Sequence, residues 1–286
     1  MSTIAVLGSK GMLGHDLMSV LKGHSVVGFS RSDLNITAPE AVIKALSGFE
    51  TVINAAAYTK VDDAETHPKE AFAVNAEGAR HIARACHEHG SRLIHVSTDY
   101  VFDGTARKPY AEDHPRNPQS VYGMSKAAGE EGVLEANPDH TIIVRTAWLY
   151  GEYGPNFVAT MLNLAAHNDT VSVVTDQIGQ PTWSRDLALM ITSIVDSDVR
   201  GGIFHGTNAG QESWWDFARV VFEKAGLDPA RVLPTTSAQF VRPAPRPAWS
   251  VLDHSQWAKN GLPEPRRWEE AFAEAWDVVF SPRHNS

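Results

Sequence analysis

Short apolar runs alternate with longer amphipathic ones through the first half of the chain. Ile4 to Leu7, Ser25 to Phe29, Thr51 to Asn54, Arg92 to Ser97 and Thr141 to Arg145 are β-rich. Between them Leu13 to Leu21, Pro39 to Leu46, Pro68 to His89 and Ser120 to Glu135 carry helical patterns. This alternation predicts an α/β fold, a Rossmann-like doubly wound parallel sheet. In such sheets ligands bind beyond the carboxyl ends of the strands, so the residues closing each run are the first candidates for chemistry.

The second half changes character. Gly154-Pro155-Asn156, Gly179-Gln180-Pro181, Gly201-Gly202 and the proline-rich Arg242-Pro243-Ala244-Pro245-Arg246-Pro247 punctuate it, and it is rich in tryptophan. It reads as a smaller substrate-binding lobe closing over the carboxyl ends of the sheet. Residues 1–150 then form the nucleotide-binding domain and 151–286 the second lobe. The boundary is soft, because Asp186 to Val195 and Gly202 to Gly206 can return to the first domain as a helix and a strand.

Composition narrows the class without changing this picture. At 286 residues with 43% hydrophobic and 21% charged residues, the chain is an ordinary globular protein with room for a sizeable core. No apolar run is long enough to cross a bilayer. The N-terminus enters its first strand without a basic or cleavable leader, and the single cysteine, Cys86, has no disulfide or metal-ligand companions. A cytoplasmic location and no metal are the expectations. A net charge of -9 argues against nucleic-acid binding and requires any phosphate site to be local.

Such a local site is written into the first turn. Gly8-Ser9-Lys10-Gly11-Met12-Leu13-Gly14 follows the first strand and opens a helix. Gly8 permits the tight turn, Gly11 lets backbone approach a pyrophosphate, and Gly14 lets helix pack on strand, while the helix N-terminus offers amide donors. Lys10, Met12 and Leu13 belong to the same turn. The spacing is GxxGxxG, the short-chain dehydrogenase-like arrangement. After the second strand the ribose-binding acid is replaced by Ser30-Arg31-Ser32. A guanidinium there suits a 2'-phosphate, which favours NADPH and leaves NADH possible, although Arg31 reads equally as a solvated loop arginine. Ala55-Ala56-Ala57-Tyr58 closes the third strand, where small side chains let a cofactor lie against backbone or simply form a packing seam.

Acid-base chemistry is suggested by Tyr122-Gly123-Met124-Ser125-Lys126, in which one helical turn places a phenol and an ammonium on the same face. The ammonium is expected to lower the phenol pKa so that the phenol can exchange a proton with a substrate oxygen. Thr98, at the end of the fourth strand, can donate a hydrogen bond to a substrate carbonyl.

These marks together resemble the extended short-chain dehydrogenase/reductase superfamily and, within it, the dTDP-4-dehydrorhamnose reductase family. The more specific segments are Val52 to Asp62, Ser97 to Gly104, Arg145 to Gly151, Gly179 to Thr182 and Arg246 to Asp253, and the likeness covers nearly the whole chain. The resemblance implies NAD(P)H-dependent reduction of a dTDP-linked 4-keto sugar. It implies Thr98, Tyr122 and Lys126 as the catalytic triad, with Tyr122, Lys126 and Asn75 also among the cofactor contacts. Tyr100 and Trp148 match positions facing the sugar, as Thr98 and Tyr122 also do, and Asn156, Gln177 and Arg246 lie in segments of the second lobe that would help hold the nucleotide sugar. Asn35 and Trp249 depart from the family pattern, the first where an acid is more usual and the second where a smaller or polar residue is common. A dTDP-sugar is therefore the expected partner, a homodimer is possible, and nucleic acid and membrane are not expected.

Neighbouring readings stay open at this level. A reductase of another nucleotide 4-keto-deoxysugar would carry the same motifs. A 4,6-dehydratase would have an Asp-Glu pair after the threonine, where this chain has Asp99-Tyr100. A regulatory subunit of the methionine adenosyltransferase type shares the fold and much of the motif set but works as a binding module.

Overall fold

The apolar runs pair into one six-stranded parallel sheet. In the computed structural model, which describes residues 1–281, the strands are β1 (Thr3–Leu7), β2 (Ser25–Phe29), β3 (Thr51–Asn54), β4 (Arg92–Thr98), β5 (Thr141–Thr146) and a final strand, Gly202–His205. Residues 282–286 of the expected second lobe lie outside the described residues. Across the sheet the order is Gly202–His205, β5, β4, β3, β1, β2. The chain thus moves outward in opposite directions from the β1/β3 seam, which opens a crevice at the carboxyl ends of these two strands.

Period-two alternation divides each strand between two cores. Ile4, Val6, Ile53 and Ile94 pack against Leu13 and Leu17 of the Met12–Val20 helix and against Leu187 and Ile191 of the Ser184–Val195 helix. Ala5, Leu7, Val52 and Leu93 face the other way, onto Val42, Ile82, Ala83 and Cys86. A helix and a strand from beyond residue 180 therefore complete the sheet layer begun at the N-terminus.

A third core lies in the second half. Val158 and Met161 of the Phe157–His167 helix, Phe217 and Val221 of the Trp214–Lys224 helix, and Trp268 and Phe272 of the Trp268–Ala275 helix enclose it. A short parallel pair, Val171–Val174 with Val232–Thr235, borders this cluster. Among the described residues no helix is long and apolar enough to cross a membrane.

Two helices differ locally from their sequence patterns, and both differences bear on the site. The Pro68 to His89 pattern is divided into Pro68–Phe72 and Ala79–His89 by a π-helical turn at Ala73–Gly78, which shifts the register around Asn75. The helix carrying Tyr122 runs Val121–Ala136, because Ser120 is its N-cap and accepts a hydrogen bond from the Gly123 amide at 3.1 Å.

Candidate active site

A cleft of about 1200 Å³ runs along the carboxyl ends of the strands, lined by the glycine turn and, from the second half of the chain, by residues around Trp148 and Pro155. Gly8, Lys10, Gly11, Met12, Leu13, Gly14, Ser30, Arg31, Ala55, Ala56, Ala57, Tyr58, Thr98, Tyr100, Tyr122, Lys126 and Trp148 all line it. The turn leaves little room for any other residue at two positions. Gly8 has φ +79°, and a Cβ there would lie 2.8 Å from the Ala55 backbone; a Cβ on Gly14 would lie 2.2 Å from the Gly8 carbonyl oxygen. The helix that follows starts at Met12 with no side chain capping its first amides, so those donors face the cleft. A glycine cradle closed by free helix amides fits a dinucleotide pyrophosphate.

Beside it, the end of β2 is organised by an acid that the motif reading passes over. Asp33 accepts hydrogen bonds from the Ser30 amide at 2.8 Å and the Ser30 hydroxyl at 2.6 Å, and these hold its carboxyl below the usual range. Ser30 is thereby committed to its own turn. Asp33 is outside the cleft lining, whereas exposed Arg31 lies within it. The cation at this corner is the group available to a 2'-phosphate.

The middle of the cleft holds the buried polar cluster. Tyr122 and Lys126 sit one turn apart on the Val121–Ala136 helix, 9% and 2% exposed. Burial pushes the Tyr122 phenol up to about 12, with Thr98 opposing the rise and the Asp99 carboxylate reinforcing it. The expected lowering by Lys126 is not found. Its ammonium donates to the Val96 carbonyl at 2.7 Å, and burial drives its own pKa down to about 8, with Glu130 opposing. The Thr98 hydroxyl lies within hydrogen-bond reach of Asp99 Oδ1 at 2.9 Å, accepts from the Tyr100 amide at 3.3 Å and is also hydrogen-bonded to the Tyr122 phenol.

The chain is similar to known proteins along nearly its whole length. The model of the RmlD substrate binding domain family matches residues 1–280. A dTDP-4-dehydrorhamnose reductase of Streptomyces griseus is 49% identical, covering 96% of this chain and 93% of that protein. The chain belongs to the dTDP-4-dehydrorhamnose reductase family. A dTDP-4-keto-6-deoxy-D-glucose reductase of Streptomyces niveus is 44% identical over 96% of each chain. The crystal structure of a dTDP-4-dehydrorhamnose reductase from Bacillus anthracis in complex with NADP superposes with a TM-score of 0.93 at 37% identity, covering 97% of this chain and 99% of that one.

Four residues expected at the dTDP-4-dehydrorhamnose reductase site lie outside the cleft lining. Asn75, on the π turn, accepts from the Tyr58 amide at 2.8 Å and donates to the Tyr58 carbonyl at 3.1 Å and to Ser125 at 2.9 Å. It holds the cofactor-side strand end to the Tyr122 helix, with both amide protons committed to protein partners. Asn156 is a helix cap, accepting from the Ala159 amide and donating to the Gly151 carbonyl. Gln177 donates to Ser237. Arg246 pairs with Asp62 at 3.0 Å, close enough to Tyr100 to act on its phenol.

The conformations and partners that support the site are invisible to motif spacing. Trp148 has φ +49°, an uncommon conformation for a bulky side chain, and its indole is stacked on Trp214 at 3.4 Å with the rings 8° apart. Glu130, two turns along the Tyr122 helix, and Arg145 of β5 form a two-pronged buried pair, both bonds 2.8 Å. Asn35 lies in the lining with its carbonyl accepting from Thr37, while Trp249 is bonded to the Lys108 and Gly104 carbonyls outside it.

Proposed function

We propose that this protein reduces the 4-keto group of dTDP-4-dehydro-L-rhamnose to give dTDP-L-rhamnose, with NADPH as the preferred reductant. The observation that carries this reading is a buried phenol kept in its acid form, Tyr122, in one cleft with a glycine cradle suited to a pyrophosphate. A reduction needs an acid at the oxygen that becomes an alkoxide, and a phenol with a pKa of about 12 keeps its proton until that charge develops.

NADPH bound in this cleft would supply a hydride to carbon 4 of the sugar. Tyr122 passes its proton to the carbonyl oxygen as that bond forms, and takes another from solvent afterwards. Lys126 orients the ribose of the cofactor, the amides from Met12 to Gly14 hold the pyrophosphate, and Arg31 with Lys10 receives the 2'-phosphate. Tyr100 and Trp148 face the sugar, and the second lobe carries the dTDP portion. A binding module has no use for a proton donor positioned in this way.

Similarity to the Streptomyces niveus enzyme favours a second reading in which the substrate is another dTDP-linked 4-keto-deoxyhexose. NADPH and NADH oxidation should be followed with enzymatically prepared dTDP-4-dehydro-L-rhamnose and with dTDP-4-keto-6-deoxy-D-glucose. Turnover of the first at the higher kcat/KM is expected, and no oxidation with either sugar refutes the reading. Tyr122→Phe should lower kcat by about a thousandfold while leaving NADPH affinity within twofold.

A further inference from the structure

Trp148 lines the cleft, whereas Trp214, the first residue of the Trp214–Lys224 helix, stands behind it outside the lining. Trp214 stacks on one face of the Trp148 indole at 3.4 Å and meets Phe157 at 4.4 Å between ring centres, and Phe157 in turn stacks on Phe217 in the core of the second lobe. Gly179 bounds the same indole from another side. A Cβ there would lie 2.7 Å from Trp148 Nε1 and closer still to Cε2, so the N–H edge of the ring fits only because position 179 has no side chain. The short strands Ile178–Gly179 and Glu212–Ser213 pair with Gly179 opposite Glu212, which brings Gly179 and Trp214 to one ring. Trp148 itself has φ +49°, a conformation that a bulky residue keeps only where its surroundings hold it. With one face against Trp214 and the N–H edge against Gly179, the surface left for the cleft is aromatic carbon.

We propose that Trp214 is a positioning residue that, by stacking, fixes the left-handed backbone and ring angle of Trp148, so that the free indole surface stands as a flat wall against the carbon–hydrogen face of the keto sugar. Gly179 supplies the space in which the ring stands. This rests on the reading of the cleft as the site of a nucleotide-linked keto sugar. Stacked aromatic rings hold one another at a set angle, and the chain of rings through Phe157 to Phe217 anchors that angle in the second-lobe core. Without Trp214 the strained backbone of Trp148 relaxes and the ring turns away. The sugar is then held less often in its reactive orientation, although the nucleotide end of the substrate keeps its own contacts.

A double-mutant cycle with the two dTDP-linked keto sugars as substrates tests this. Trp214→Ala should raise KM for the keto sugar about tenfold and lower kcat by less, while Kd for NADPH and the inhibition constant of dTDP, which has no sugar, stay within about twofold. Because Trp214 acts through Trp148, Trp148→Ala should be impaired at least as much, and the double variant should be no worse than Trp148→Ala. Trp214→Phe should recover most of the loss, since a phenyl ring still stacks. Gly179→Ala, which displaces the indole from its other side, should reproduce the rise in KM with Trp214 intact, and it carries the test if Trp214→Ala fails to bind NADPH. Additive effects of the two tryptophan substitutions overturn the proposal, as does an unchanged KM in Gly179→Ala. Equal losses of dTDP and keto-sugar binding in Trp214→Ala overturn it too, because they show that Trp214 merely supports the fold of the second lobe. A parent protein that turns over neither keto sugar overturns instead the reading of the reaction.

Discussion

Replacing Lys126 with methionine should abolish turnover yet stabilise the fold. The ammonium is buried, and its pKa falls from an ordinary 10.5 to about 8. At 1.36 kcal/mol per pKa unit, that fall costs the folded state roughly 3 kcal/mol at neutral pH. Methionine fills a similar volume and forfeits the hydrogen bond to the Val96 carbonyl, worth about 1 kcal/mol. Glu130 is not stranded, because Arg145 still holds both of its oxygens at 2.8 Å. The net gain is about 2 kcal/mol, which raises Tm by roughly 4 °C for a chain of this size. The sign with pH follows from a depressed lysine. Below pH 8 the side chain is charged in both folded and unfolded states and the full cost applies; between about 8 and 10.5 the folded lysine is neutral while the unfolded one is still charged, and the cost fades. Urea denaturation of parent and variant, followed by tryptophan fluorescence, should therefore show a gap that is widest near pH 7 and closes towards pH 10. A variant less stable than the parent at neutral pH, or a gap that ignores pH, would refute the reasoning.

Two other substitutions read different parts of the molecule. Arg145→Met takes from the fully buried Glu130 carboxylate the partner that holds both its oxygens, leaving Arg116 at 3.6 Å and the Lys126 ammonium one turn away, and should cost about 3 kcal/mol in a denaturant melt, with Glu130→Gln in the same chain recovering much of the loss. Arg31→Ala should raise KM for NADPH about tenfold and leave KM for NADH unchanged; an equal effect on both cofactors would show that the guanidinium does not meet the 2'-phosphate.

Features governed by local geometry are legible in the amino-acid order itself. Gly8 and Gly14 are required by backbone clashes within one strand-turn-helix unit, and the Tyr122/Lys126 pair needs only the pitch of a helix to share a face. The doubly wound sheet follows from the same local periodicities, repeated. Asn75 and Asn156 match motif positions, but a side-chain amide acts on whatever backbone lies within about 3 Å, and folding brings Tyr58 to one and the Ala159 amide to the other. Ser30 likewise reads as a ligand residue from its place after β2, yet in the folded chain Asp33 closes onto it.

Sequence alone determined the order of strands and helices, the cofactor turn, and which residues carry an acid and a cation. Tertiary structure alone decided their states. Burial holds Tyr122 protonated and weakens the base-strength of Lys126, and the contact with Val96 keeps that ammonium from acting on the phenol as the spacing suggested. The stack of Trp214 on Trp148 joins residues far apart in the chain. The physical reason is that steric and helical constraints reach only a few residues along the backbone, whereas desolvation and hydrogen-bond partnership depend on everything packed nearby in space.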